Sequence, residues 1–410
     1  MLFFFDIYMR KRTKKKIINI LIILFLILTI GIGINLYKKW RIVNAKIIVE
    51  LNDNLEVEVH SKIKLSDFIK SINGNLIDDF QINTTQIGKK PITFQYINDQ
   101  NIEVSYSFNI NVIDKIPPLI FSSSQFTLTK GYTGNLAKEL FCGDNYDDNP
   151  TCEIVGQYDV NTAGTYSVIY KGTDSSGNES SQPFNLIVKE KSVTSSVTLP
   201  AIQKKYTDIV AKYKNPNTKI GIDVSSWQGN IDFQRVKDAG VEFAFIRIGS
   251  QRGIGGEYFI DKNFEQNIKG FQKVGIPVGV YFYSYANNKL AAKVEAEWLV
   301  EKLKPYELDL PVVFDWENWS FYQEFNLSFY NLTEIANTYL KTIEKAGHKG
   351  MLYSSKNYLE NVWFETKYPV WLAHYTDQTN YQGKYKIWQL CSNGSIPGIY
   401  GNVDVNVMYN

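Results

Sequence analysis

The sequence predicts a multidomain chain: an N-terminal transmembrane helix, two small all-β sandwiches, and a C-terminal irregular α/β barrel of TIM-like type. Three observations carry this. Residues 17–37, IINILIILFLILTIGIGINLY, form an apolar run without a charge. Stretches within 46–190 alternate apolar and polar residues with period two. From Lys219 onward, short apolar runs alternate with segments of helical period. The expected divisions are a basic cytoplasmic tail (1–16), a membrane anchor (17–37), two sandwiches (46–114 and 115–190), a linker (191–216) and the barrel domain (217–410). A chain of 410 residues is too long for one ordinary domain, and its 44% hydrophobic share is that of a globular protein. A net charge of +2 excludes a dominant basic surface, so no nucleic-acid partner is expected.

The anchor comes first. As a helix, residues 17–37 extend roughly 31 Å, enough to cross a bilayer core. A cleaved signal peptide is the competing reading, but the run is long and the following KKWRIVNAK offers no small-residue cleavage site. Arg10, Lys11, Arg12, Lys14, Lys15 and Lys16 precede the span, against Lys38, Lys39 and Arg41 after it. The positive-inside bias places the N-terminus in the cytoplasm and the rest of this single-pass chain outside, facing the cell wall.

In the β region, KPITFQYI, IEVSYSFNINVID, TYSVIYKGTD and QPFNLIVKE read as strands separated by Gly, Asn and Asp turns. They form an internal repeat: Gly88 aligns with Gly164, Tyr96 with Tyr170, Phe108 with Phe184, and Val112 with Val188. Pro117 and Pro118 stiffen the joint between the two copies. The second copy, with IPPLI at its start and VNTAGTYSVIYKGTDSSGN towards its end, resembles bacterial immunoglobulin-like surface domains; the first is a weaker version. That resemblance implies spacers or weak binding modules. Cys142 and Cys152 flank GDNYDDNPT; they can close a short disulfide or remain two thiols, because sequence does not fix the Cα separation a bridge needs. Cys391 is left over and reads as a buried thiol. DNYDDNP lacks the spacing of an EF-hand and reads as a solvated loop. His60, His348 and His374 are scattered, so no metal site and no cofactor is expected.

In the barrel region the candidate strands include KIGIDVSS, FAFIRIGS, PVGVYFYSYA, PVVFDWE, PVWLAHY and NVDVNV, with Gly240, Gly275 and Gly347 placed to end helices. Chemistry in such folds sits at the C-terminal ends of strands. Asp223, Asp315, Glu317 and Asp404 fall there. Asp315 and Glu317 stand at i and i+2, so they share a strand face while Trp316 points away. Crowded carboxyls cannot all ionise easily, and a protonated acid beside an ionised one is what glycoside hydrolysis uses. Trp227, Tyr281, Tyr283, Trp319, Trp371 and Trp388 are divided between core and flat faces for sugar rings.

At these residues the chain, from about Lys219 to Asn410, resembles the family 25 glycoside hydrolases, the Chalaropsis-type lysozymes. GIDVSSWQGNIDFQRVKDAGVEFAFIRIGSQRG, VGIPVGVYFYSYA, PVVFDWEN, YPVWLAHY and IWQLCSNGSIPGIYGNVDVNVM carry the resemblance in order. It implies hydrolysis of the β-1,4 bond from N-acetylmuramic acid to N-acetylglucosamine in peptidoglycan. Glu317 corresponds to the general acid, and Asp315 to the residue that steadies the substrate N-acetyl group. Asp223 and Asp404 match supporting acids, and Tyr281 and Tyr283 match substrate-contacting positions. Two departures are Leu390 in place of an aromatic after WQ, and YFYS without the histidine many members have there. The expected partners are glycan strands and, through the helix, a membrane. A catalytically silent glycan-binding surface protein is the alternative reading.

Overall fold

The structure, a computed structural model, describes residues 2–121, 123–191 and 202–410, with side chains from Lys14 onward. The side chains of Arg10, Lys11 and Arg12, and residues 192–201 of the expected linker, lie outside the described residues. The chain divides into two compact units, Met1–Asp114 and Lys115–Asn410.

The first unit opens with helix α1 (Leu2–Val43). Its stretch Lys14–Val43 is long and apolar enough to cross a membrane. Leu24, Phe25 and Leu28 on it are more than half exposed. The strands that follow are β1 (Val49–Leu51), β2 (Glu56–Glu58), β3 (Ile69–Ile72), β4 (Gly74–Leu76), β5 (Gly88–Asn98) and β6 (Glu103–Ile113). β1 pairs with β3, and a four-stranded sheet runs β2-β6-β5-β4.

The second unit begins with β7 (Leu119–Phe121), β8 (Gln125–Thr129), helix α2 (Leu136–Glu139), β9 (Phe141–Gly143), β10 (Thr151–Val155), β11 (Gly164–Thr173) and β12 (Glu179–Lys189). β7 pairs with β9, and the sheet runs β10-β11-β12-β8. The repeat in the sequence reappears as strand register. Gly88 faces Val112 across β5–β6, and Gly164 faces Val188 across β11–β12. Tyr96 and Tyr170 are both fully buried, and each hydroxyl donates to an acceptor: Asn73 Oδ1 at 2.8 Å and the Ala137 carbonyl at 2.8 Å. A buried Tyr needs that partner, so the repeat conserves a packing unit with its hydrogen bond rather than an apolar pattern alone. Cys142 and Cys152 are disulfide-bonded, with Cα atoms 6.5 Å apart, inside the range a bridge spans. The acidic loop between them is solvated only in part, at Asp148 and Asn149. Asp144 is buried, and its Oδ1 accepts the backbone N–H groups of Tyr146 and Asp147, so the carboxylate folds the loop inward.

The remainder of the second unit is a closed ring of strands. β13 (Lys204–Lys205) and α3 (Tyr206–Tyr213) lie in the stretch read as linker, yet Tyr206 is buried and donates to the Ile220 carbonyl. Then follow β14 (Thr218–Val224), α4 (Phe233–Asp238), β15 (Ala244–Gln251), β16 (Tyr258–Ile260), α5 (Phe264–Lys273), β17 (Val278–Tyr283), α6 (Lys289–Leu303), β18 (Val312–Asp315), α7 (Phe329–Lys345), β19 (Gly350–Ser355), α8 (Lys356–Asn361), β20 (Val370–Ala373), β21 (Ile387–Ser395) and β22 (Val403–Tyr409). Strands β14, β15 and β17 to β21 are parallel neighbours in that order. β22 pairs antiparallel with both β21 and β14 and closes the ring. Only residues 396–402 join β21 to β22, too few for the crossover of about a dozen residues that a parallel return requires. Phe243, Phe245, Tyr353 and Trp371 fill the interior, with Phe245 and Trp371 ring centroids 4.7 Å apart. Gly279 makes room for them, since a Cβ there would come within 2.5 Å of the Phe245 ring.

The bridge yields a countable expectation. Unreduced, denatured protein should take up one alkyl group, on the buried free Cys391, and fully reduced protein should take up three, as read by intact mass. Three groups without reduction would mean that Cys142 and Cys152 are unpaired.

Candidate active site

Strand β18 is buried along its whole length and delivers Asp315 to the C-terminal rim of the ring. Four apolar-to-acid residues in extended conformation leave no alternative direction for the chain but outward at that rim. Trp316 turns away and is fully buried against Trp319, Tyr322 and Phe325, with ring centroids 4.8, 5.7 and 4.9 Å away. Asp315 and Glu317 thereby line one cleft of about 150 Å³, together with Asp223, Tyr281, Tyr353, Trp371, Tyr375, Gln389 and Asp404. A larger depression of about 580 Å³ between Pro311 and Met408 holds only two carboxyls, Asp309 and Glu344.

The four acids come from three places. Asp223 on β14 and Asp404 on β22 face each other in register across the seam that closes the ring. Asp315 ends β18, and Glu317 lies two residues beyond it. Asp315 is buried, and Glu317 is exposed at the opening. Burial raises the pKa of Asp315 well above the usual range, and the neighbouring charges of Glu317 and Asp223 add to the rise. Although Glu317 as a residue opens to solvent, the cleft walls strip enough water from its carboxyl to raise it as well, with the Asp223 charge adding, while a hydrogen bond from Asp315 opposes the rise. The pair therefore retains a proton at pH values where an ordinary pair of carboxylates holds none. Asp404 is pushed up to about 8, by burial first and then by the charges of Asp223 and Glu317.

Asp223 is treated differently. Its Oδ2 accepts from Asn406 Nδ2 at 2.7 Å and from Gln389 Nε2 at 3.0 Å. Trp371 Nε1 can only donate, and it gives its proton to Asn406 Oδ1 at 2.8 Å, which turns the Asn406 amide nitrogen toward Asp223. The Tyr353 and Tyr375 hydroxyls donate to Gln389 Oε1 at 2.8 and 3.1 Å and orient that amide in the same way. These donors oppose burial, and Asp223 rises only to about 6. One crowded cluster thus holds an acid that ionises near neutrality beside a pair that resists ionisation.

The expected aromatic residues separate. Tyr281 and Trp371 line the cleft; Trp371 is buried and serves as its floor. The Tyr283 hydroxyl points to Asn318 Oδ1 at 3.4 Å, and the charges of Asp315 and Glu317 reach it. Trp227 is 84% exposed on the turn after β14. Trp319 and Trp388 are core residues instead of sugar platforms. Trp319 stacks on Tyr358 at 3.7 Å, and Trp388 packs edge-on to Tyr213 while donating to the His374 carbonyl. Strand period misplaces both: Trp319 already lies in a 3-10 turn, and Trp388 is on the outer face of β21.

Several site residues were not singled out in the sequence. Gln389 and Asn406 orient Asp223. Arg247 donates through Nε and Nη2 to Asp261 Oδ2 at 2.8 and 2.7 Å and through Nη2 to Ser226 Oγ at 3.1 Å, fixing the turn that carries Trp227. Its charge is also the cation that lowers Asp315. The signal was present: an Arg inside the apolar run FAFIRIGS, and an Asn two residues after Asp404 on the same strand face. Asn318 was quoted within PVVFDWEN; its Nδ2 donates to the Ser284 carbonyl at 3.0 Å, and Ser284 N donates to the Asp315 carbonyl at 2.7 Å, tying β17 to the end of β18.

Comparison with known proteins converges on this region. Residues 222–399 match the glycosyl hydrolases family 25. The chain is 32% identical over 197 residues to the uncharacterized protein YegX of Escherichia coli K12, a match covering 46% of this chain and 68% of YegX. It is 28% identical over 192 residues to the autolytic lysozyme of Clostridium acetobutylicum, covering 45% of this chain and 54% of the lysozyme, so it spans about half the length of that relative. Among solved structures, the modular autolysin LytC of Streptococcus pneumoniae, in complex with a synthetic peptidoglycan ligand, aligns at 26% identity and a TM-score of 0.44, over 59% of this chain and 56% of that one. A family 25 glycosyl hydrolase of Bacillus anthracis aligns at 22% identity and a TM-score of 0.41, over 48% of this chain and 92% of its own. By its family match and its likeness to YegX, this chain belongs to the glycosyl hydrolases family 25.

Proposed function

We propose that this chain is a membrane-anchored lysozyme, a 1,4-β-N-acetylmuramidase acting on peptidoglycan. The observation that carries the reading is the convergence of Asp315, Glu317, Asp223 and Asp404 on one cleft at the rim of the ring. Asp315, placed beside the acid in the same cleft, supports attack by the substrate's own N-acetyl oxygen. Glu317, facing the opening, passes the pair's proton to the glycosidic oxygen as the bond to the anomeric carbon breaks. The N-acetyl oxygen bonds to that carbon and becomes part of a positively charged ring, which the Asp315 carboxylate left behind balances. Water then gives a proton to Glu317 and its oxygen to the anomeric carbon, reopening the ring. Asp315 Oδ1 is buried without a hydrogen-bond partner, a seat suited to the N-acetyl N–H. The exposed face of Trp227 suits stacking on a sugar further along the strand.

The apolar helix and the basic residues before it support an anchor in the membrane, with the enzyme on the outer side. The first β unit, read as immunoglobulin-like, serves as a spacer between membrane and wall.

Three outcomes are expected. The full chain in detergent, digesting purified peptidoglycan, should release fragments with new muramic-acid reducing ends, identified by mass spectrometry after borohydride reduction. Glu317→Gln should release none; glucosamine ends would mean a different bond, and wall binding without cleavage would mean a silent glycan-binding protein. The rate should fall on the alkaline side as the pair loses its proton. Asp223→Asn removes a charge that raises both members, so that limb should move to lower pH by up to about one unit; a shift to higher pH would contradict the electrostatics. Trp227→Ala should raise KM about threefold to tenfold with little change in kcat, in steady-state rates on soluble glycan fragments.

A further inference from the structure

Glu317 stands on residues 316–328, a segment that follows β18 and contains the 3-10 turn Trp319–Phe325 but no strand. Such a segment has no ladder to fix it, so its order must come from what packs on it. From below, it is held by Trp316. From above, it is held by the β-sandwich that the sequence reads as a spacer.

Phe141 on β9 inserts among the aromatic rings of the segment and its neighbours. Its ring centroid lies 5.2 Å from Tyr322, 5.6 Å from Tyr358, 6.1 Å from Phe329 and 6.2 Å from Trp319. Two residues on, Gly143 admits no side chain: a Cβ there would come within 2.5 Å of Phe329 and 2.7 Å of Tyr322. Polar contacts latch both ends. Gln323 Nε2 donates to the Ala137 carbonyl and the Tyr170 hydroxyl, each at 2.9 Å. Ser328 N and Asn331 Nδ2 donate to Asp148 Oδ1 at 2.6 and 2.7 Å, and Phe329 N donates to the Asp144 carbonyl at 2.7 Å. The cluster reaches the acid itself. Tyr358 is stacked on Trp319 and touched by Phe141, and burial first, with the Glu317 charge adding, pushes its hydroxyl up to about 12.

We propose that the sandwich formed by residues 119–189 is a fixed part of the active site, in which Phe141 and Asp148 are positioning residues that hold segment 316–328 and so set the place of Glu317. The consequence for the reaction rests on Glu317 as the general acid. A small displacement of that acid from the glycosidic oxygen lowers turnover more than binding, because alignment is needed at the reacting atoms alone.

The test uses the full chain in detergent, as wild type, Phe141→Ala, Phe141→Leu and Asp148→Ala, with two readouts: amide hydrogen exchange by mass spectrometry, and kcat and KM on soluble peptidoglycan fragments. In Phe141→Ala, exchange in 316–328 should rise roughly tenfold while peptides from β15 and β17 stay protected. Its kcat should fall about tenfold to a hundredfold, with KM within about twofold of wild type. Phe141→Leu should recover most of both, and Asp148→Ala should move both in the same direction by about threefold. Unchanged exchange in 316–328 overturns the proposal, as does raised exchange with full kcat. If Phe141→Ala loses protection throughout the barrel, it has unfolded, and the milder Asp148→Ala decides by the same criteria. A wild type without activity on peptidoglycan sinks the lysozyme reading instead, and the exchange pattern alone then supports or overturns the holding role.

Discussion

The site depends on one costly arrangement, the burial of the Asp315 carboxyl beside that of Glu317. An ionised carboxylate removed from water must find donors or a cation, and Asp315 has neither in full. Its oxygen Oδ1 has no hydrogen-bond partner, and the Arg247 guanidinium is already engaged with Asp261 and Ser226. The remaining solution is to keep a proton, and burial beside Glu317 and Asp223 raises Asp315 accordingly. The nearby polar side chains are then free to serve Asp223, and the network from Trp371 and Tyr353 through Asn406 and Gln389 does so. The division into a proton-holding pair and an anion thus follows from where the donors are aimed.

That division demands rigidity on every side. Amide side chains orient a carboxylate only if their own orientation is fixed, and here the indole of Trp371 and two tyrosine hydroxyls fix it. Trp371 is in turn wedged against Phe245 and Tyr353 inside the ring. On the Glu317 side the support is aromatic packing without a ladder, and part of it comes from outside the ring. The core and the chemistry are therefore continuous: the same rings that exclude water from the barrel interior set the direction of the acids.

Much of this was legible in the sequence, for a definite reason. Period two puts Asp315 and Glu317 on one side of the chain, and both line the cleft although β18 itself ends at Asp315. Ring strands with apolar runs and glycine-ended helices were equally readable, and so was the register of the repeat at Gly88 and Gly164. The roles of the tryptophans were not. A Trp offers the same flat surface to a sugar and to a core, and only the tertiary surroundings separate Trp227 from Trp319 and Trp388. Nor did local pattern reveal that Phe141 packs on Tyr322, because the two are far apart in sequence. The acidic loop was misleading in the same way: Asp144 and Asp148 look like solvated turn residues until the segment they hold is brought to them.

The antiparallel last strand has a kinetic side. Asp223 and Asp404 belong to the first and last strands of the ring and meet only across its closing seam. Joining residues so far apart in sequence means closing a long loop before the contact gives anything back, which slows folding. The acids that tune Asp315 and Glu317 meet only in a ring whose first and last strands have paired, so any chain with that seam open carries an incomplete cleft.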